Sequence, residues 1–385
     1  MKIISLYRNL FLFLLLAFVL IGCGQVNHPD RNQHLRVSEA SFDTLIQEQQ
    51  VQLLTLQNET GMTASITNYG ARIVQLSVPD RTGKPIDVVL GFDRLSNYIH
   101  AAGPYYGAVV GRYAGRIAEG EFKLAGKTFP LTKNSEGLTL HGGKAGFHQQ
   151  VWQVKEADNR HVRLSYLSHA GEEGFPGNLR VTVEYRLTDD NKLAIQYSAD
   201  TDEPTVLNLT NHSFFNLNGE GDSSVFNHVL MIHAASYWPL TGEKLPDKQA
   251  KNVQTTPFDF NRPATIGSRL TVQDSQLRLA GGFDHTYILN PERQWEKDAV
   301  ANVYSPRTGI QMEVFTQQPG MQLFTANFLD GKDRGKSGKV YVRYGAFCLE
   351  TQHFPNSPNR EDFPTTTLNP GETFESTTIY GFSVK

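Results

Sequence analysis

This sequence predicts an all-β chain folded as a large antiparallel β-sandwich with few short helices, on three observations. Apolar residues recur at alternate positions through much of the chain. Turn-forming residues, 33 Gly and 18 Pro among 385, break those stretches at short intervals. Helical periodicity is scarce, so sheets have no helices to cover them and must pack on each other. No second glycine- and proline-rich linker and no repeat of fixed period divides residues 42–385, which are read as a single domain.

The N-terminus stands apart from that domain. Lys2 and Arg8 precede an unbroken apolar run, Leu10 to Ile21, that closes on Gly22-Cys23. A spanning helix needs about 20 residues, so this shorter run with its basic flank fits a secretory signal peptide over residues 1–23. Leu20-Ile21-Gly22-Cys23 is similar to the bacterial lipobox, whose cysteine is lipidated. The expectation is an exported protein held to a membrane through Cys23, on the periplasmic or cell-surface side; the alternative is a plain signal peptide and a soluble periplasmic product. Residues 24–41 are polar, without apolar periodicity, and read as a flexible tether.

Within the domain, Leu179, Val181, Val183, Tyr185 and Leu187 alternate with mostly polar neighbours, as a half-buried strand does. Asp189-Asp190-Asn191-Lys192 supplies a turn, and Leu193, Ile195, Tyr197 and Ala199 alternate again, which predicts an antiparallel hairpin. Further strands are predicted at Val51–Leu56, Met62–Tyr69, Ile73–Val78, Val162–Leu167, Val229–Ala234, Gln311–Thr316 and Val340–Thr351. Short helices are predicted around Phe42–Glu48 and Asp93–Tyr98.

Net charge is −3, with 36 Lys+Arg against 39 Asp+Glu, so no positive excess exists to track a nucleic-acid backbone. Two cysteines, one of them Cys23, allow no disulfide framework, and Cys348 in the apolar string Ala346-Phe347-Cys348-Leu349 reads as a buried, inert thiol. The histidines show no H-x-x-x-H or H-E-x-x-H spacing on a helix, so no metal is expected. No G-x-S-x-G suggests a serine nucleophile.

Five segments are too specific in composition to be sheet filler. Gly111-Arg112-Tyr113-Ala114-Gly115-Arg116-Ile117 sets two arginines four apart among glycines that do not match a phosphate loop. Leu138-Thr139-Leu140-His141-Gly142-Gly143 ends a strand-like alternation on a histidine, followed by glycines that permit close backbone approach. Asn208 to Leu217 gathers three Asn, His212 and two Phe; on a strand His212 and Phe214 face the same way. Gly281-Gly282-Phe283-Asp284-His285 offers a carboxylate able to accept from polyol hydroxyls, or else an Asx turn; His285 points away and reads as structural.

The fifth segment, Phe347 to Pro355, places Glu350 directly on an apolar strand, where a carboxylate must be paired, protonated or functional. A buried pair with Arg112, Arg116 or Arg343 is the structural alternative. Just upstream, Gln317-Gln318-Pro319-Gly320 supplies amides at a turn. Proton transfer on a hydroxylated ligand is the chemistry left open.

In this order the segments resemble the aldose 1-epimerase (galactose mutarotase) family. The resemblance extends from Asn68-Tyr69-Gly70-Ala71 through Gly91-Phe92-Asp93 to Asn369-Pro370-Gly371-Glu372. It implies the mutarotase-like supersandwich fold and interconversion of the α and β anomers of a free hexose such as glucose or galactose. It also implies His212 as general acid, Glu350 as general base, sugar binding by Arg116, His141, Asp284 and Gln318, and no cofactor. Where many members have Asn-Arg, this chain has Gly115-Arg116, which places substrate preference in question. Two other readings remain: a hexose-6-phosphate 1-epimerase, which needs a basic cluster, and a non-catalytic lipid-anchored carbohydrate-binding protein. Oligomeric state is not legible in the sequence.

Overall fold

The computed structural model describes residues 37–385, which form one compact unit. The signal segment, Cys23 and most of the tether lie outside the described residues. At the tether's end, Glu39–Ser41 is a single 3-10 turn and Phe42 is buried.

Three antiparallel sheets build the sandwich, with few and short helices. The largest has nine strands in the spatial order 153–157, 161–168, 179–187, 192–201, 374–384, 310–316, 301–304, 229–232 and 264–265. A four-stranded sheet holds Leu53–Gln57, Thr63–Thr67, Arg72–Pro79 and Pro85–Asp87. A five-stranded sheet runs Lys251–Asn252, Ser236–Trp238, Asp284–Ile288, Gly320–Phe324 and Cys348–Gln352. One hydrophobic cluster joins all three: Ile66 and Ile73, Val181 and Ile195, and Tyr287, Leu323 and Leu349.

The predicted hairpin is present, pairing Leu179–Leu187 with Lys192–Thr201. Leu179, Val181, Val183, Tyr185 and Leu187 are all buried, each stabilising the fold by about 1.5–3 kcal/mol relative to exposure. The helix near residue 95 is also present, as Leu95–Ile99.

Phe42–Glu48 is not a helix. Thr44–Ile46 and Gln49–Val51 form a hairpin whose turn residues, Gln47 and Glu48, both take positive φ. That turn normally selects Asn-Gly or Asp-Gly, so Gln-Glu concealed it. The stretch predicted as one strand, Val340–Thr351, is broken into Val340–Val342 and Cys348–Gln352. Tyr344 at φ 62° turns the chain between them. Two short helices, Ile266–Leu270 and Ser275–Ala280, were not predicted; Asp274 caps the second by accepting from the backbone N–H groups of Gln276 and Leu277. Among the described residues no helix is long and apolar enough to cross a membrane.

Candidate active site

The five-stranded sheet has two chemically different faces. His285, Leu323 and Leu349 lie in register on the core side, where Leu323 and Leu349 join the main cluster. On the opposite face, register aligns Asp284 with Phe324 and Cys348, and Gln322 with Glu350. Alternation along Cys348–Gln352 therefore carries Cys348, Glu350 and Gln352 to one side, toward a cavity of about 340 Å³. Tyr105, Gly115, Arg116, His141, His212 and Phe214 also line it.

His212 ends the short strand Thr210–His212, paired with Ala108–Val110. Its imidazole lies between two rings, Tyr105 at 5.7 Å and Phe214 at 4.9 Å, both near parallel to it. Its Nε2 is 3.6 Å from Glu350 Oε1, and its Nδ1 is 3.6 Å from Cys348 Sγ. Burial among apolar groups drives the His212 pKa down to about 4. Burial, reinforced by the charge of Asp284, pushes Glu350 up to about 8 against the partial opposition of Arg116. At 3.6 Å the contact is longer than a charge-assisted hydrogen bond.

His141 sits at φ 51°, and Gly142 and Gly143 continue in the same left-handed region. A Cβ on Gly142 would stand 2.0 Å from the Gly111 carbonyl oxygen, so only glycine fits. The backbone N–H of Gly115 donates to His141 Nδ1 at 3.2 Å, which leaves the ring proton on Nε2. His141 meets the His212 ring edge-on at 5.3 Å. Arg116 donates to Asp284 Oδ2 at 3.1 Å, and Gln322 Nε2 donates to Asp284 Oδ1 at 2.7 Å, fixing the carboxylate at the cavity wall.

His212, Glu350, Arg116, His141 and Asp284 thus meet in one cavity. Gln318 does not. Its Nε2 donates to Ser376 Oγ, its Oε1 faces His353 Nδ1, and it lines a different surface depression. Gln322, one turn of alternation into the next strand, lines the cavity instead. Its strand is recognisable from Met321 and Leu323, but the family resemblance implied Gln318. Tyr105 was also missed, since nothing in Gly103-Pro104-Tyr105-Tyr106 marks a ring that covers the His212 imidazole.

The arginine alternatives for Glu350 are not realised. Arg112 is buried and donates to the carbonyls of Pro176, Gly177 and Ser168; Arg343 donates to the Gly281 carbonyl; and Arg116 holds Asp284. The fold also brings ligand atoms of His141, His212 and Glu350 within 4.8 Å of one another, a grouping no sequence spacing reveals.

An acid and a base of matched reach, beside a fixed carboxylate and a guanidinium, suit proton transfer to and from a polyol. Residues 52–381 match the Aldose 1-epimerase family. Galactose mutarotase from Homo sapiens is 43% identical over 319 residues, 83% of this chain and 90% of that protein. Aldose 1-epimerase from Escherichia coli K12 is 37% identical over 336 residues, 87% of this chain and 96% of that protein. The crystal structure of an aldose epimerase homologue from C. elegans superposes with a TM-score of 0.80 at 29% identity, covering 86% of this chain and 98% of that one. The chain belongs to the aldose 1-epimerase family.

Proposed function

We propose that this aldose 1-epimerase interconverts the α and β anomers of free hexoses by ring opening, with Glu350 and His212 sharing one proton. The observation that carries the reading is the meeting of Glu350 Oε1 with His212 Nε2 at 3.6 Å at the end of a sugar-sized cavity. A one-proton pair has two arrangements, carboxylate with imidazolium and carboxylic acid with imidazole. The first is loaded for opening: Glu350 takes the proton of the C1 hydroxyl, His212 Nε2 gives its proton to the ring oxygen, and the C1–O5 bond breaks as the C1 carbonyl forms. The pair then stands in its second arrangement. After rotation about C1–C2, Glu350 returns a proton to the carbonyl oxygen and His212 removes one from the C5 hydroxyl, giving the other anomer.

His141 Nε2–H and the Arg116 guanidinium donate toward the sugar, and the Asp284 carboxylate reads hydroxyls farther round the ring. The two cavity-lining basic groups among the described residues, Arg116 and Lys332, are each paired with a carboxylate, Asp284 and Asp330. No basic cluster is free for a phosphate, which favours neutral aldoses over hexose phosphates. Polarimetry on fresh α-D-glucose and α-D-galactose tests the reading with wild type, Glu350→Gln and His212→Asn. Each variant is expected to lose at least about 10²-fold. Near-wild-type turnover in either would remove that residue from the mechanism.

We further propose that residues 1–23 direct export and that Cys23 carries lipid, on the strength of the basic flank, short apolar run and Leu-Ile-Gly-Cys motif. Radiolabelled palmitate should enter the wild type and not Cys23→Ala; no label in either would leave a cleaved signal peptide.

A further inference from the structure

The sheet face that floors the cavity carries one polar group that the reaction above leaves unused. Register sets Gln352 opposite Gly320, two pairs beyond the Glu350–Gln322 pair and so next to it on the same face, while Asp284 belongs to the row on the other side, with Phe324 and Cys348. Glu350 is therefore flanked, by the Asp284 row in one direction and by Gln352 in the other. Gln352 lines the cavity and is almost fully buried, and its carboxamide oxygen has no hydrogen-bond partner. Its polar neighbours on that floor are held: Asp284 by Arg116 and Gln322, and Gln322 also by the Thr286 hydroxyl. Native interiors seldom keep an orphaned buried amide without a use for it.

The surroundings point to what that use is. Gly115 lines the same cavity, at φ 83°, with a would-be Cβ 3.2 Å from the Pro355 ring. Asn208 ties the two segments together, donating to the carbonyls of Ala114 at 2.9 Å and His353 at 3.2 Å. At 115 the wall offers no side-chain amide, whereas Gln352 holds one with an unsatisfied acceptor. A carboxamide both donates and accepts, which suits the hydroxyls of a pyranose.

We propose that Gln352 is a substrate-binding residue whose carboxamide pairs with a sugar hydroxyl on the side of the anomeric centre opposite to Asp284, and so helps decide which aldose is accepted. The inference rests on the epimerase reading of the cavity. A contact away from the reacting atoms is equal in ground and transition states, so its loss raises KM and leaves kcat alone. Because the orphaned amide is unfavourable without sugar, its removal does not weaken the empty protein.

The test is polarimetric kinetics of the full chain as wild type, Gln352→Met and Gln352→Asn on α-D-glucose, α-D-galactose and each singly deoxygenated analogue. Gln352→Met is expected to raise KM on the parent sugars about tenfold at unchanged kcat, with a thermal midpoint in the absence of sugar no lower than wild type. Gln352→Asn, which withdraws the amide by one methylene, is expected between the two. On one deoxy analogue, the one lacking the partner hydroxyl, wild type and Gln352→Met should share one KM, and Asp284→Asn should single out a different analogue. Equal KM on the parent sugars, or a KM rise of the same size across every analogue, overturns the assignment. If wild type accelerates no aldose, the epimerase reading fails by itself, and calorimetric titration of glucose and galactose into wild type and Gln352→Met decides the binding claim: equal affinities overturn it.

Discussion

Cys348 and Glu350 stand two residues apart on one strand face and address the two nitrogens of the same imidazole, Sγ at Nδ1 and Oε1 at Nε2 of His212, each at 3.6 Å. The thiol is fully buried and its pKa is driven well above the usual value by burial and by the charges of Glu350 and Asp284, so the partner at Nδ1 is neutral. A carboxylate there would raise the imidazole pKa. A neutral sulfur leaves His212 a strong acid once it is protonated.

The pH dependence of catalysis follows from the one-proton requirement. Below about pH 4 His212 takes up a second proton beside the protonated Glu350, and above about pH 8 Glu350 loses the last one. A bell-shaped kcat/KM with limbs near those values is expected from polarimetric rates corrected for the uncatalysed reaction. An acid limb at the pKa of a free imidazole would show that His212 does not titrate as a buried group.

Stability should respond to pH through the same carboxyl. Between 4.5, the ordinary value, and about 8, the native protein holds a proton on Glu350 that the unfolded chain has lost. Stability therefore falls as pH rises through that window, by at most about 1.4 kcal/mol per pH unit. His212 acts in the opposite sense between about 4 and 6.5, where the unfolded chain binds the proton and the native one does not. Glu350→Gln removes only the first contribution, so the thermal midpoint of the variant minus that of wild type should climb steadily from about pH 4.5 to about 8. A flat difference would mean that Glu350 is ionised in the folded protein.

Substitution at Gly115 separates backbone from chemistry. At φ 83° an alanine costs about 1–2 kcal/mol, and its Cβ would also press on Pro355 at 3.2 Å, whereas asparagine enters the left-handed region more readily. Thermal midpoints should fall in the order wild type, Gly115→Asn, Gly115→Ala. The ratio of kcat/KM for glucose to that for galactose should change in Gly115→Asn and not in Gly115→Ala. An alanine variant as stable as wild type would refute the conformational argument.

Tyr105 depends on a clasp some distance from the reaction. Asp333 accepts from the backbone N–H groups of Ala102 and Gly103, at 2.9 and 3.2 Å, and from the Tyr106 hydroxyl at 3.0 Å. Asp333→Ala frees the loop whose next residues carry Tyr105 over His212. Faster amide hydrogen exchange across residues 101–106 is expected, with a loss of about tenfold in kcat/KM and little change in the global thermal midpoint, because the lost bonds are local. Unchanged exchange would mean that the loop is held by its other contacts.

Much of this was legible in the sequence, and the failures have physical causes. Alternation at Leu179–Leu187 reported a face truly buried, and Glu350 was conspicuous because a carboxylate interrupted an apolar strand. Arg112 and Arg116 were indistinguishable by composition; only tertiary packing decides that Arg112 binds four backbone carbonyls inside the protein while Arg116 reaches Asp284. Gln318 and Gln322 differ by two strand repeats, and the turn at Pro319-Gly320 separates the residue in the cavity from the one outside it. Neither Tyr105 nor the hairpin at Gln47-Glu48 could be read locally, because one gains its role from a ring far along the chain and the other uses residues untypical of its turn.

The slot between Tyr105 and Phe214 that holds His212 opposite Glu350 also sets a limit on the catalyst. In the proposed reaction the two groups that open the ring are the two that close it, and each passage returns them to their starting arrangement, so no proton need be drawn from or lost to the solvent. Such a device has no direction of its own. It can only hasten the approach to an anomer ratio that the sugar's own conformational energies dictate, whichever anomer arrives first.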